Sequence, residues 1–272
     1  MTDLKRIFRD ARRDPALAVL EGLHALKHAL RFGAQVLHVA VVSPARLSAL
    51  ADALAPDVRE RILADAVTVP AEVFATLAPL APSTGVIAIA RRAPADANAL
   101  LAEARPAPVV LLEAPSDLGN IGACVRVTAA ADVAGVLTTG IHDPWDPAAL
   151  RGSAGLHFAL PVARLGEDAL ELVGPRRPPA QTVAAGRWSE RRPLIALDPD
   201  GEQLRPGELP ARSILAFGAE RQGLSRELLD RADARVCLPM RAGVSSLNLA
   251  TSVAAVLYSW RLAGVEQKIR VD

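Results

Sequence analysis

The stretch NIGACVRVTAAADVAG, residues 120–135, combines residue types that could hold an anion. Arg126 follows Gly122 by four positions, so the two share one face of a predicted helix, and Asn120 stands where that helix would begin. A glycine in a helix costs about 1 kcal/mol relative to alanine, and this chain uses alanine freely. The pattern therefore has two interpretations. In one, these residues form part of a functional site. In the simpler one, Asn120 caps the helix and Arg126 is a surface or ion-pair residue.

Three loops that each join a predicted strand to a helix carry glycine together with polar side chains. They are EAPSDLGNIGACVR after strand 108–113, FGAERQGLS after strand 213–217 and LPMRAGVSSLN after strand 235–239. Parallel α/β sheets bind ligands beyond the carboxyl ends of their strands, so the three loops predict a ligand site. The sequence has no G-x-G-x-x-G after a strand and no G-x-x-x-x-G-K-[ST], which argues against a nicotinamide site and a P-loop.

The polar residues of the second and third loops also have structural interpretations when taken singly. Glu220 is an ordinary loop acid, Ser246 is a good N-cap for the last helix, and Asn248 is solvated on that helix's first turn. The ordered set of three loops is harder to explain by structure alone.

Two alternating α/β units must position these loops, and we predict them over residues 1–92 and 108–272, with a Pro- and Ala-rich linker over 93–107. Alternation of strands and helices predicts a parallel sheet with helices on both faces. In the first unit we predict helices over 15–33, 44–54 and 71–78 and strands over 35–42, 66–70 and 84–91. In the second we predict strands over 108–115, 134–140, 158–165, 181–186, 193–198, 213–218 and 235–240, and helices from Asn120, near 167–173, over 224–232 and over 246–264.

Charge and hydropathy limit the possible partners. The formal net charge of +1 gives no global field for nucleic acid. A local basic cluster near the N-terminus is the predicted RNA contact, and it consists of Arg6, Arg9, Arg12 and Arg13. No apolar run approaches the roughly 20 residues of a membrane span, and the N-terminus shows no export signal. We therefore expect a cytoplasmic protein without a membrane partner.

Cysteine and histidine spacing does not predict a metal site. Cys124 and Cys237 are too far apart for a metal-type cluster, and we interpret them as free thiols in a reducing cytosol. His24 and His28 have helical spacing but no Cys or Glu partner beside them. We therefore expect no metal cofactor.

Taken together, the three loops resemble the three motifs of the SpoU (TrmH) branch of the SPOUT class of RNA methyltransferases. NIGACVR matches N-x-G-x-x-x-R, FGAERQGLS matches G-x-E-x-x-G followed by a hydrophobic residue, and LPMRAGVSSLN matches a hydrophobic-P-M followed by G-x-x-x-S-L-N. SAGLHFALPV over 153–162 is similar to the family's S-A-G stretch, and LEGLHAL over 20–26 resembles the small ribosomal-protein-like RNA-binding domain of many ribosomal members. Leu118 replaces a common Pro, Glu113 stands where Asp is common, and Ser245 stands where many members have Glu.

The resemblance implies an S-adenosyl-L-methionine-dependent 2′-O-ribose methyltransferase that acts on ribosomal RNA of the 23S type. It also implies a deep trefoil knot in the C-terminal domain and a homodimer whose active site uses both protomers. Arg126 would contact the target phosphate, and the family assigns it a part in deprotonating the 2′-hydroxyl. The implied catalytic residues are Arg126, Asn120, Ser246, Asn248 and Glu220, and the implied cofactor-binding residues are Phe217, Gly218, Gly223, Leu238, Gly243 and Leu247.

Three alternatives stay open at this point. The chain could be a tRNA 2′-O-methyltransferase, a non-catalytic RNA-binding relative, or a small-molecule-binding α/β protein. The ribosomal interpretation rests on the extra N-terminal unit, which we expect to select RNA without doing chemistry. On that view a fragment that begins near Arg105 should still fold, dimerise and bind S-adenosyl-L-methionine.

Overall fold

The computed structural model describes residues 2–166, 170–174 and 191–269. The chain divides into two compact units. The first contains residues 1–94 together with 143–159, and the second contains 95–142 together with 160–272. We describe each unit by itself.

The first unit is built on a mixed sheet with the strand order β1-β4-β2-β3 among the described residues. β1 and β2 both pair antiparallel with β4, whereas β2 and β3 are parallel, so the sheet of this α/β unit is mixed. The strands are β1 Leu17–Glu21, β2 Val36–Val41, β3 Ala66–Thr68 and β4 Val86–Arg91, and the helices from the N-terminal part are α1 Thr2–Ala11, α2 Leu23–Arg31, α3 Pro44–Leu54, α4 Arg59–Ala64 and α5 Ala71–Phe74.

The helix predicted over residues 15–33 is instead a strand followed by a helix. Residues 18–21 are all buried, and a short continuous apolar run cannot be told from a buried helix segment by periodicity alone. Gly22 makes the break, because its φ of +111° lies in a region that side chains rarely adopt. α2 then begins at Leu23.

Residues 143–159 pack with the N-terminal unit, which differs from the predicted boundaries. This segment forms α8, Pro147–Gly152, and a 3₁₀ turn, Leu156–Phe158. His28 Nδ1 donates to the carbonyl oxygen of Ala154 at 2.7 Å. Gly155 lies so close to α2 that an added Cβ would stand 2.5 Å from the carbonyl oxygen of Ala25. The S-A-G stretch therefore belongs to the packing of the first unit.

The second unit is built on a parallel sheet with the order β10-β8-β9-β5-β6-β7 in the described part of the chain, which confirms the predicted parallel α/β sheet. The linker predicted over 93–107 contains a helix that belongs to this unit. The strand predicted over 181–186 lies outside the described residues. The strands are β5 Val109–Leu112, β6 Gly135–Thr138, β7 Val162–Arg164, β8 Leu194–Gln203, β9 Ile214–Phe217 and β10 Ala234–Cys237, and the helices are α6 Ala97–Ala102, α7 Leu118–Ala130, α9 Leu170–Val173, α10 Arg226–Arg231 and α11 Leu249–Ile269.

The strand order places two of the three loops side by side. β5 and β9 are neighbours, with Leu112 opposite Phe217, so the loops that follow them leave the sheet at adjacent positions. β10 lies at the sheet edge, but α11, which follows it, packs against α7. No helix within the described ranges is long and apolar enough to cross a membrane.

Candidate active site

Asn120 lies inside the first turn of α7 and is not its cap. Asp117 caps the helix, because its Oδ1 accepts from the backbone N–H of Asn120 at 2.7 Å. Asp is among the best N-cap residues, and a cap serves the N–H two or three positions later. The side chain of Asn120 is therefore available for other contacts.

The carboxylate of Glu220 joins the second loop to the first. Its Oε2 accepts from the backbone N–H of Ser116 at 3.1 Å and from Ser116 Oγ at 2.7 Å. Its Oε1 accepts from Asn120 Nδ2 at 2.7 Å. Partial burial favours the neutral acid, but the hydrogen bonds from Ser116 and Asn120 outweigh it and lower the pKa of Glu220 to about 2. The group is thus a carboxylate at neutral pH.

Asn248 brings the third loop into the same network. Its Nδ2 donates to Asn120 Oδ1 at 3.0 Å. Its Oδ1 accepts from the N–H of Ala250 at 2.9 Å and of Thr251 at 3.3 Å, so Asn248 caps α11. The structural interpretation of Ser246 as the cap is wrong, because the helix begins at Leu249 and Ser246 lies exposed before it.

Arg126 is exposed on α7, one turn and a half beyond Asn120. Among the described residues no hydrogen bond or ion pair engages its guanidinium group. Gly122, one turn earlier, is buried, so the small residue there serves packing within this chain and does not by itself leave an open face. α7 therefore carries a cation without a partner among the described residues about 9 Å along the helix from Asn120, and the polar network around Asn120 uses most of its own donors and acceptors.

The segment after β9 forms a tight loop. A Cβ on Gly218 would stand 2.0 Å from the carbonyl carbon of Gly223, so only glycine fits there. Gly223 has a φ of +68° and nothing within 4 Å of its Cβ position, and its N–H donates to the carbonyl oxygen of Ala219 at 2.9 Å. Phe217, just before, is buried. The predicted cofactor residues of this loop thus combine a fixed backbone with an open surface.

The loop after β10 is exposed from residue 239 to 248, apart from half-buried Met240. Gly243 has a φ of +86° and open space at its Cβ position. Leu247 is 43% exposed, and Leu238 is half-buried at the start of the loop. These three predicted cofactor residues therefore lie on accessible backbone.

Residues 107–258 match the SpoU rRNA Methylase family. The chain belongs to this family. The family and the class of enzyme predicted from the three motifs are confirmed.

Two named relatives of this SpoU methylase illustrate its likeness to RNA methyltransferases. An uncharacterized tRNA/rRNA methyltransferase of Synechocystis sp. is 30% identical over 261 residues, which cover 92% of this chain and 85% of the relative. A 23S rRNA (adenosine(1067)-2′-O)-methyltransferase of Streptomyces laurentii is 33% identical over 178 residues, which cover 64% of this chain and 60% of the relative.

A solved SpoU structure shares the fold. The SpoU methyltransferase AviRb from Streptomyces viridochromogenes, in complex with the cofactor AdoMet, superposes with a TM-score of 0.72. The match covers 97% of this SpoU methylase and 98% of the other chain, at 22% identity.

Sequence reasoning missed a second carboxylate contact in this SpoU methylase. Glu113, 8% exposed at the end of β5, accepts from the N–H of Ser225 at 2.6 Å and from Ser225 Oγ at 2.5 Å. Ser225 also caps α10, since its Oγ accepts from the N–H of Leu228 at 3.1 Å. A serine directly before RELLD predicts a cap, but the partnership with Glu113 depends on the pairing of β5 with β9 and leaves no local signal.

The basic cluster predicted to contact RNA lies in the first unit, with Arg6 and Arg9 on α1 and Arg12 and Arg13 just after it. Arg6 pairs with Asp3 and Arg9 with Asp10 on the surface. Arg12 differs, because it forms an ion pair at 2.9 Å with the buried carboxylate of Glu21 and donates to the carbonyl oxygen of Phe8. Arg13 is exposed, and no ion pair to another described residue engages it. The geometry thus gives Arg12 a structural contact and leaves Arg13 with the freest charge of the four.

The thiols and histidines noted in the sequence have ordinary surroundings. Cys124 and Cys237 are both free, and burial raises the pKa of Cys124 to about 12. Within the described residues, no group of three or more His, Cys, Asp or Glu side chains could hold a metal ion.

Proposed function

We propose that this chain transfers a methyl group from S-adenosyl-L-methionine to a ribose 2′-hydroxyl of ribosomal RNA, of the 23S type. One observation carries the proposal: an exposed Arg126, which has no hydrogen-bond or ion-pair partner among the described residues, lies on the helix whose first turn joins Glu220 and Asn248 through Asn120. A guanidinium group without a protein partner is suited to clamp a phosphate of the substrate.

The loops after β9 and β10 fit the cofactor. Gly223 and Gly243 both have positive φ and open space where a side chain would stand, so a ligand can approach their backbone closely. Phe217, Gly218, Leu238 and Leu247 flank them and are the other residues proposed to hold the cofactor, mainly through main-chain amides and carbonyls. When bound, S-adenosyl-L-methionine supplies a methyl group on a positively charged sulfur.

The protein's part is to hold the RNA and to ease the loss of the hydroxyl proton. Arg126 binds the phosphate beside the target ribose and stabilises negative charge there. An arginine stays protonated and has no acceptor for the hydroxyl proton, so we assign Arg126 as a phosphate clamp, and the proton of the 2′-hydroxyl passes to an oxygen of that phosphate. Ser246 and Asn248, at the start of α11, offer polar groups to ribose or phosphate.

Glu220 has a positioning part in this scheme. Its carboxylate already accepts three hydrogen bonds, and a pKa of about 2 makes it a poor base at neutral pH. It fixes the amide of Asn120 so that the oxygen of Asn120 faces Asn248 and stays there. The three motifs are then held in register before substrate arrives.

The enzyme acts as a homodimer, with a trefoil knot in the second unit. Support for a dimer comes from α11, whose Ala255, Tyr258 and Leu262 form an exposed apolar stripe at helical spacing. Support for the knot comes from the chain path, since α11 packs on α7 although β10 lies at the far edge of the sheet. Both features also follow from the family resemblance.

The N-terminal unit selects ribosomal RNA, and the reaction takes place in the cytoplasm. The 23S rRNA methyltransferase of Streptomyces laurentii supports this target, although the chain spans about 60% of that relative. Arg6, Arg9 and Arg13 are the proposed RNA contacts in this unit, and Arg12 supports them from its ion pair. The second candidate is a tRNA 2′-O-methyltransferase, because a relative covered over most of its length is named for both RNA classes.

The test measures methyl transfer from tritiated S-adenosyl-L-methionine to ribosomal RNA and to tRNA, with the product mapped by resistance to alkaline cleavage. We expect labelled 23S rRNA with one ribose protected. Arg126→Ala should lower turnover by about 10²–10³-fold without changing the melting temperature. Arg205→Ala is the control, because this exposed arginine pairs at the surface with Glu208 and with no other residue that the structure describes.

Other outcomes would redirect the proposal. Labelled tRNA alone would favour the second candidate. Absence of both cofactor binding and methyl transfer would indicate a non-catalytic relative. Near-normal turnover of Arg126→Ala would reduce Arg126 to a surface residue.

A further inference from the structure

We infer that Glu113 is a positioning residue for the segment 217–225 and that it sets the affinity for the cofactor. The inference rests on the proposed function for the identity of the ligand. Its structural part, that one buried carboxylate holds the segment in shape, stands on the hydrogen bonds alone.

Glu113 fixes both ends of the segment. Its backbone N–H donates to the carbonyl oxygen of Phe217 at 2.8 Å, which ties down the start. Its carboxylate accepts from the N–H and the Oγ of Ser225 at 2.6 and 2.5 Å, which ties down the end. Both ends of this nine-residue segment are thus hydrogen-bonded to Glu113, which directly follows the neighbouring strand β5.

Within the described residues, the carboxylate of Glu113 accepts hydrogen bonds from Ser225 and from no other side chain. Glu113 is 8% exposed, and in the described part of the chain no arginine or lysine forms an ion pair with it. A buried charge without a cation is costly unless donors satisfy it. The N–H and the Oγ of Ser225 are the donors to it among the described residues, so the side chain of Glu113 and the loop conformation stabilise each other.

The closed segment leaves its tip accessible. Gly218 packs against the backbone of Gly223 and Leu224, and Glu220 is hydrogen-bonded to Ser116 and Asn120. The side of the loop that faces the protein is therefore occupied by protein atoms. The residues at positions 221–223 are exposed. A cofactor that binds main-chain groups of this loop needs them in a fixed place, because ordering them on binding would cost free energy.

Conservative changes at Glu113 should therefore act through the loop. Gln has one oxygen and one NH₂ group, so it can still accept from the Ser225 N–H but would have to donate to Ser225 Oγ, and it replaces charge-assisted hydrogen bonds with weaker neutral ones. We expect Glu113→Gln to bind S-adenosyl-L-methionine about ten- to a hundredfold more weakly. Ser225→Ala should show a similar loss, whereas Ser225→Thr retains both donors and should bind nearly as the natural protein does.

The experiment measures cofactor affinity by calorimetry on the full chain for Glu113→Gln, Ser225→Ala, Ser225→Thr and the double variant Glu113→Gln/Ser225→Ala. Hydrogen exchange by mass spectrometry is recorded without cofactor, together with thermal unfolding. Glu208→Gln is the control, since its side chain is 59% exposed and pairs only at the surface. We expect the double variant to bind S-adenosyl-L-methionine no more weakly than the single variant with the lower affinity. We also expect faster hydrogen exchange that is confined to residues 217–225.

Three results would overturn the inference. They are unchanged cofactor affinity in folded Glu113→Gln, additive losses in the double variant, or unchanged exchange in 217–225. If Glu113→Gln does not fold, the comparison of Ser225→Ala with Ser225→Thr decides by the same two measurements. Failure of the natural protein to bind the cofactor would instead contradict the proposed function, while the exchange data would still test the loop.

Discussion

At the residue scale, the candidate site contains two carboxylates that fix loops by hydrogen bonds and one guanidinium group, that of Arg126, without a partner among the described residues. Glu113 accepts from the N–H and the hydroxyl of Ser225, at the end of the 217–225 segment. Glu220, in the middle of that segment, accepts from the N–H and the hydroxyl of Ser116. Arg126 forms no such hydrogen bond within the part of the chain that the structure describes. This difference separates the two carboxylates from Arg126 as groups for substrate, because a group whose hydrogen bonds are satisfied within the protein has few donors or acceptors free for a substrate.

The pKa of Glu220 makes its contribution to stability dependent on pH. Its folded-state pKa of about 2 is below the ordinary value of 4.5, so the ionised group stabilises the fold above about pH 4.5. That stabilisation is lost as the pH falls from about 4.5 to 2. We expect Glu220→Gln to be less stable than the natural protein at pH 6 and the difference to shrink steadily towards pH 2.

Urea unfolding at pH 6, 4 and 3 checks this prediction. Glu208→Gln is the control, because its exposed carboxylate forms a surface ion pair with Arg205, and the loss of such a pair costs little stability. A difference between Glu220→Gln and the natural protein that stays constant from pH 6 to pH 3 would contradict the assignment.

At the scale of elements, the turn after β5 contains a strained residue. Ala114 has a φ of +45°, and its backbone N–H donates to Thr139 Oγ1 at 3.0 Å. The neighbouring Gly140 packs so closely that an added Cβ would stand 3.0 Å from the Cα of Ala114. The left-handed conformation costs an alanine roughly 1–2 kcal/mol, and the hydrogen bond and packing hold it in place.

We expect Ala114→Gly to raise the free energy of unfolding by up to about 1 kcal/mol, because relief of strain outweighs the extra freedom of glycine in the unfolded chain. Denaturant unfolding measures the change. Ala99→Gly is the matched control, since Ala99 is exposed within α6 and glycine there should cost about 1 kcal/mol. If both variants lost stability alike, Ala114 would not be strained.

Element predictions held where the local pattern was decisive and were wrong where distant contacts decided. The buried apolar run of β5 and the Ser-Pro start of α3 were predictable from their own residues. The helix over 15–33 was not, because Leu17–Glu21 becomes a strand only through pairing with β4. The hydrogen bond between Glu113 and Ser225 joins residues 112 positions apart, so no local signal announces it.

At the scale of the whole molecule, the chain passes between the two units after residues 94, 142 and 159. The N-terminal unit is therefore not a simple extension that precedes the methyltransferase unit. Residues 143–159, which lie between β6 and β7 in sequence, find their partners in the first unit. Arg151 forms an ion pair with the buried carboxylate of Glu21, and Arg92 pairs with Asp143 at 2.8 Å.

The expectation that a fragment beginning near Arg105 folds must be revised for two reasons. Such a fragment lacks α6, whose Leu100 is 5% exposed in the core of the second unit. It also leaves residues 143–159 without the first unit, and this segment contains the buried side chains of Trp145, Leu150 and Phe158. Exposure of apolar groups of this size favours aggregation.

We expect a fragment of residues 95–272 to be poorly soluble and to bind a hydrophobic dye, because residues 143–159 expose their apolar side. The same fragment with 143–159 replaced by a Gly/Ser linker of equal length should unfold cooperatively and bind S-adenosyl-L-methionine, since the linker has nothing to bury. Its affinity for RNA should be lower than that of the full chain, and its dependence on salt should be shallower, because the phosphate contacts of the first unit are gone. Equal dye binding and equal melting temperatures for the two fragments would contradict the assignment of 143–159 to the first unit. Equal RNA affinity and salt dependence for the linker fragment and the full chain would show that the second unit recognises RNA alone.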